Sequence, residues 1–203
     1  MRRRRREPLP TMIFLILASA LLAPTTVLAH NPGGVAGGFA SGFMHPLTGI
    51  DHILAMVAVG IWGAQLGAPA IWALPVAFPL VMSVGGAMGV RGVPLPGVEI
   101  GIAASALLLG LMIFSESRPS LLAAALLVGF FAIFHGYAHG KELPHAANPL
   151  AYGVGFVLAT GLLHVSGITV GLIHRWSLGA RVLRFAGGII SLAGLFLLVH
   201  HFA

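Results

Sequence analysis

Six long apolar segments, separated by short polar breaks, dominate the chain. They lie at about 46–66, 69–90, 97–114, 120–138, 149–173 and 181–202, each near the ~20 residues that the hydrocarbon core of a bilayer requires of a helix. The breaks run from Gly67 to Pro69, Arg91 to Pro96, Ser115 to Pro119, His139 to Asn148 and His174 to Ala180. Pro and Gly, the strongest punctuation of local structure, mark most of them. The pattern predicts an all-α membrane protein, a compact bundle of about six transmembrane helices in a single domain over residues 30–203. Segment 97–114 is short and carries Glu99 at its start, so its ends are the least sharply marked.

Residues 1–29 read differently. Arg2 to Arg6 precede an apolar stretch from Met12 to Leu22, and Val27-Leu28-Ala29 supplies the small residue of a cleavage site, which is the order of a cleavable secretory signal peptide. Cleavage, rather than retention as an anchor helix, leaves His30 as the new terminus outside the cytoplasm. A free α-amine, with an ordinary pKa of roughly 7.7–8.0, beside an imidazole can chelate one metal ion, so His30 is a candidate ligand. Gly33 to Phe43 is too short and Gly-rich to span, and is expected to pack on the bundle as an interfacial or re-entrant piece. With the terminus outside, connections 67–68, 115–119 and 174–180 face the cytoplasm. Arg118, Arg175, Arg181 and Arg184 then lie inside, against Arg91 and Lys141 outside, in agreement with the positive-inside rule. The expected location is the bacterial inner membrane, crossed several times.

Composition sharpens this picture. Hydrophobic residues make up 58% of the 203, charged residues only 8%, and mean hydropathy is +0.98. Soluble domains carry about 25% charged residues, so the partner of this surface is the lipid bilayer. The 28 glycines suit helices that approach closely. Gly85 and Gly89, Gly97 and Gly101, and Gly167 and Gly171 make small-xxx-small pairs; a homo-oligomer is compatible with them, although they do not identify one. Cys is absent, which excludes thiolate metal sites and disulfides. Arg2 to Arg6 supply five charges of the net +6, and without them nucleic-acid binding has no support.

Ionisable groups are expensive inside a membrane and by default mark a site. The first cluster is His45-Pro46-Leu47-Thr48-Gly49-Ile50-Asp51-His52, followed by Met56. Pro46 suits a first helical turn, which would put His45 at the cap of segment 46–66 and His52 two turns below it on the same face. Asp51 can orient a ligating imidazole or bind metal itself, and imidazole with carboxylate suits Ni, Co or Zn better than Mg or Ca. The second cluster is His135-Gly136-Tyr137-Ala138-His139-Gly140-Lys141-Glu142. His135, His139 and Glu142 share one face if the helix persists, whereas an ending at Gly140 would leave Glu142 in the loop. Gly136 stands where HExxH requires Glu, so this is not a zinc-protease motif. Opposite helix directions bring both clusters to the outer half of the membrane, where two His-bearing faces can converge on one ion. His164 lies deeper, as an inner relay candidate or a histidine satisfied by a backbone carbonyl. His145, His174, His200 and His201 read as solvated or interfacial, and Met82, Met88 and Met112 as packing residues.

The stretches His45 to Met56 with Val59-Gly60-Ile61-Trp62, Phe131-Ala132 through His135-Gly136, Ala138-His139-Gly140 and Glu142, and Gly155-Phe156 with Ala159-Thr160 and Leu163-His164 resemble the HupE/UreJ family of hydrogenase and urease accessory membrane proteins. The resemblance runs from the signal sequence to the C-terminus. It implies uptake of nickel, in some members cobalt, across the inner membrane, a functional link to nickel-enzyme maturation, and metal-handling positions at His45, Asp51, His52, His135, His139 and Glu142. The first motif is also similar to the His-x4-Asp-His of the larger nickel/cobalt permeases, with a spacer of five here, so ligand geometry does not carry over.

The expected function is therefore a secondary transporter importing a divalent transition metal, nickel before cobalt, with the ion as cargo and no prosthetic group. No phosphate-binding loop of the G-x4-G-K-[S/T] type is present. The alternative is a membrane metal-binding accessory protein or sensor that does not transport. A two-histidine haem protein fits Asp51 and Glu142 poorly, and an enzyme is least favoured because no nucleophile-and-base set stands out.

Overall fold

The structure is a computed structural model that describes residues 35–143 and 148–202. Among these residues there are seven α-helices and no strand: α1 (Val35–Met44), α2 (Ile50–Leu66), α3 (Ala70–Val90), α4 (Val98–Phe114), α5 (Leu121–Lys141), α6 (Pro149–Gly171) and α7 (Ser177–Phe202). Short 3-10 turns at His45–Leu47 and Leu172–Arg175 follow α1 and α6. Four helices are long and apolar enough to cross a membrane: α3, α5, α6 with its following turn, and α7. A fifth is reached if α1 and α2, bent by 77° at the break between them, count as one broken span. Of the six segments expected, Ile50–Leu66 and Val98–Phe114 are the two short ones, at 17 residues each. The signal-peptide reading, His30 and His145 lie outside the described residues.

The first expected segment needs correction. It begins at Ile50, not at residue 46, and His45 is not its cap. Gly49 occupies the N-cap in an extended conformation, φ −92° and ψ 115°, and so breaks the helical path. Pro46 sits instead in the 3-10 turn that ends α1, where the Thr48 hydroxyl donates to the His45 carbonyl at 2.8 Å. His52 consequently lies in the first turn of α2, and His45 reaches it from a different element. The piece expected between Gly33 and Phe43 contains a helix, α1, laid along the first half of α6. There an added Cβ on Gly38 would lie 2.9 Å from the Asn148 carbonyl oxygen.

Other boundaries follow local chemistry. Ser120 caps α5 by accepting from the Ala123 amide at 3.3 Å. Asn148 caps α6 by accepting from Ala151 at 3.0 Å, with Pro149 in the first turn, the preferred arrangement for both residue types. The segment expected at 120–138 continues to Lys141 because Gly140 lies flat against Gly86 of α3 and need not end the helix. The segment expected at 181–202 starts four residues earlier, at Ser177.

Packing follows two seams of small residues between parallel helices and one between antiparallel helices. Gly85, Gly89, Gly136 and Gly140 bring α3 and α5 backbone to backbone, and Gly60, Gly167 and Gly171 do so for α2 and α6. Antiparallel α4 and α7 meet at Gly110, Gly187 and Gly194. Of the three pairs singled out above, Gly85/Gly89 and Gly167/Gly171 are therefore helix contacts within this chain. Gly97 instead caps α4 with φ +69°. Between the seams lie buried Trp62, Phe78, Met56 and Leu109, while Trp72, Leu80, Leu122, Phe130, Phe185 and Phe196 point outward. An exterior this apolar suits hydrocarbon and would be an aggregation liability in water; the chain is a helical membrane protein.

Replacing one seam glycine should have a sharp effect. A Cβ at Gly110 would overlap the Ser191 backbone nitrogen, whereas one at Gly153 meets nothing within 4 Å. Gly110→Ala is expected to destabilise by about 1–3 kcal/mol, the usual cost of overpacking. Gly153→Ala should be neutral or gain up to about 1 kcal/mol from helix propensity. Thermal unfolding in detergent measures both, and equal Tm values for the two variants would contradict the packing.

Candidate metal centre

At one end of the bundle the break at Thr48–Gly49, the first turn of α2 and the last two turns of α5 come together. Because Gly49 is extended, the chain turns just before Asp51, and the His52 amide donates to Asp51 Oδ1 at 2.9 Å. The same carboxylate oxygen lies 3.6 Å from His52 Nδ1. On α5, His135 and His139 project along one face, and because the helix persists through Gly140, Glu142 follows them as the C-cap just past Lys141. His45 Nε2 lies 2.9 Å from Glu142 Oε2, and His139 Nδ1 lies 3.8 Å from that oxygen. One donor atom from each of His45, His139 and Glu142 falls within 4.8 Å of the others, a spacing over which one cation can be shared.

The imidazoles form a continuous stack. Ring centroids of His45 and His139 are 4.7 Å apart, those of His139 and His52 are 4.0 Å apart, and those of His52 and His135 are 4.5 Å apart. Burial grades along it. Glu142 is exposed and His45 half-buried, His52 and His139 are buried, and His135 has no accessible surface. Neither ring nitrogen of His139 has a hydrogen-bond partner, and the Phe156 ring covers it at 4.3 Å. Unpaired buried nitrogens are costly, and both of these remain available as donor atoms.

A cavity of about 250 Å³ opens beside the stack, lined by His45, Thr48, Asp51, His52, His139 and Glu142 together with Glu99. Three of the chain's five carboxylates, Asp51, Glu99 and Glu142, thus face one cavity. Carboxylates and imidazoles without thiolates suit borderline divalent ions of the first transition row.

α2 and α5, which carry the two clusters, meet through side chains, with α3 and α4 packed between them. The link is His52 Nε2 to His135 Nδ1 at 3.1 Å. His164 does not join the cluster. Its Nδ1 donates to the Pro75 carbonyl at 3.2 Å, a group left free because Pro79, one turn on, has no amide to offer it. Phe78 stands between the two, 5.6 Å from the rings of both His135 and His164.

Glu99 and Ser105 are site residues that sequence reasoning missed. Glu99 served only to mark the start of a segment, and Ser105, wholly buried, bonds His135 Nε2 at 2.8 Å. The available signal was that these are the only acidic and hydroxyl side chains of Val98–Phe114. His174 bonds the Gly171 carbonyl at 2.9 Å in the turn after α6, and His201 lines a neighbouring cavity with Glu99 and Glu142.

A family model described as HupE / UreJ protein matches residues 17–197. Protein HupE from Rhizobium leguminosarum bv. viciae is 45% identical over 181 residues, covering 89% of this chain and 94% of that protein. No solved structure matches. The match spans both histidine clusters and all seven described helices except the last residues of α7, and the chain belongs to the HupE / UreJ protein family.

Proposed function

We propose that this protein is a secondary transporter that imports nickel, or the chemically similar cobalt, across the bacterial inner membrane for metalloenzyme maturation. The observation that carries the reading is the convergence of His45, His139 and Glu142 within 4.8 Å at the mouth of a cavity walled by Asp51, His52 and Glu99. The exposed Glu142 and half-buried His45 receive a hydrated ion where water still reaches it. Asp51, half-buried on the same wall, offers the next carboxylate, and the buried His52 the next imidazole. Several weak, adjacent sites favour passage over capture. In this reading α2 to α7 are six spans, α1 is the re-entrant piece, and residues 1–29 are a cleaved signal peptide. His30 would then emerge on the side of the cavity mouth.

Purified protein in proteoliposomes should accumulate radioactive nickel. Removal of a direct ligand by His139→Ala, or of the carboxylate charge by Glu142→Gln, is expected to weaken apparent affinity by about 100-fold or more, since loss of even a supporting residue typically costs 10–100-fold. Binding without accumulation would instead identify a non-transporting accessory protein or sensor. Normal uptake at limiting nickel by both variants would exclude the site.

The orientation is testable because the chain has no cysteine. Lys141→Cys should react with a membrane-impermeant maleimide on intact spheroplasts, and Arg118→Cys only after permeabilisation. Labelling of both from one side would overturn the six-span topology.

A further inference from the structure

Ser105, a lone hydroxyl in the middle of α4, is fully buried, yet it stands at the end of a hydrogen-bond chain that leads to the cavity. Its Oγ is 2.6 Å from the Ile102 carbonyl oxygen and 2.8 Å from His135 Nε2. Two oxygens at 2.6 Å require a proton between them, and a hydroxyl has only one to give. That proton goes to Ile102, so Ser105 accepts from His135, whose Nε2 must carry hydrogen.

The polarity then propagates. A neutral imidazole has one N–H and one lone pair, so His135 Nδ1 is an acceptor. The His52 Nε2 that lies 3.1 Å from it is the donor. His52 Nδ1 is left with its lone pair, 3.6 Å from Asp51 Oδ1 on the cavity wall. Two electron-pair donors facing one another across this gap repel unless a cation lies between them. Metal bonds of about 2.0–2.2 Å to imidazole nitrogen and carboxylate oxygen can bridge the gap.

We propose that Ser105 is a positioning residue that, through His135, sets the tautomer of His52 and so turns its Nδ1 lone pair toward Asp51 as a ready-made two-donor seat for a divalent transition-metal cation. The identity of the cargo rests on the transport reading above; the tautomer does not. Ser105 touches no ion itself. It acts by denying the neutral His52 ring the alternative in which Nδ1 carries hydrogen, binds Asp51 and closes the seat. The reverse polarity would require the hydroxyl proton to leave Ile102 for His135, exposing two oxygens at 2.6 Å to each other.

The experiment is solid-state NMR of metal-free protein in lipid bilayers with isotope-labelled histidine nitrogens, which distinguishes Nδ1–H from Nε2–H imidazole. Signals are assigned by difference against His52→Phe and His135→Phe. Wild type should show Nε2–H at both His52 and His135. Ser105→Ala should give mixed tautomers at both, with the KM for nickel uptake raised about 10-fold, the lower end of supporting-residue effects, and little change in maximal rate. Ser105→Thr keeps the hydroxyl and should restore the wild-type spectrum. Nδ1–H at His52 in wild type, which needs no variant to fold, would overturn the proposal. So would an Ser105→Ala spectrum identical to wild type. Expected tautomers in a wild type that accumulates no nickel would leave Ser105 in its role and sink the transport reading instead.

Discussion

The close approach of helix backbones along glycine seams is the constraint on which the rest of this protein depends. In lipid there is no hydrophobic force to press one apolar helix on another, so association relies on packing, and small residues permit it. Gly136 and Gly140 settle on Met82 and Gly86, and Gly60 and Gly167 on one another. These contacts fix not only which helices pair but at what height. The α3–α5 seam sets the depth of His135 and His139, and the α2–α6 seam sets the depth of Asp51 and His52. A slip along either seam would carry one set of imidazoles away from the other.

The same packing dictates where polar groups can go. With Leu, Phe and Val turned outward, the interior receives His52, His135, His139, His164, Ser105, Thr160 and Gln65. Each needs a partner, because an unsatisfied buried polar group costs about 1–3 kcal/mol. Some are satisfied in part: Gln65 donates to the Ile113 carbonyl at 3.4 Å while its Oε1 has no partner, and His164 uses through Nδ1 a carbonyl that a proline released. His139 is satisfied by nothing in the fold. His164 thus has one ring nitrogen on backbone, whereas His139 has neither paired and lies beside a carboxylate-lined cavity.

The two ends of the bundle are chemically distinct. At one end Trp62 donates to the Ser117 carbonyl at 3.0 Å and Arg184 to the Phe114 carbonyl at 3.1 Å, tying α2, α4 and α7 together with hydrogen bonds near Arg118 and Arg175. At the other lie the carboxylates and histidines of the cavity.

Much was legible in the linear chain. Helical class, most segment positions and the two clusters followed from block hydropathy and from the cost of placing His and Asp in apolar surroundings, both of which are local properties. The i, i+4, i+7 spacing of His135, His139 and Glu142 needed only helical geometry and the persistence of α5 through Gly140. His45 and His52 misled because Pro46 is equally at home in the first turn of a helix and in a 3-10 turn. Only the extended Gly49 decides between them, and a glycine's conformation is chosen by its surroundings. The partners of Ser105, Glu99 and His164 were illegible for a related reason: their meanings lie in residues 30 or more positions away, reached through helix pairings that a pattern of small residues permits but does not specify. The sequence by itself determined which residues must be buried and which chemistry they carry. Only the tertiary structure decided which of them meet, because in a bundle held by backbone contact the register between helices is set by shape and not by composition.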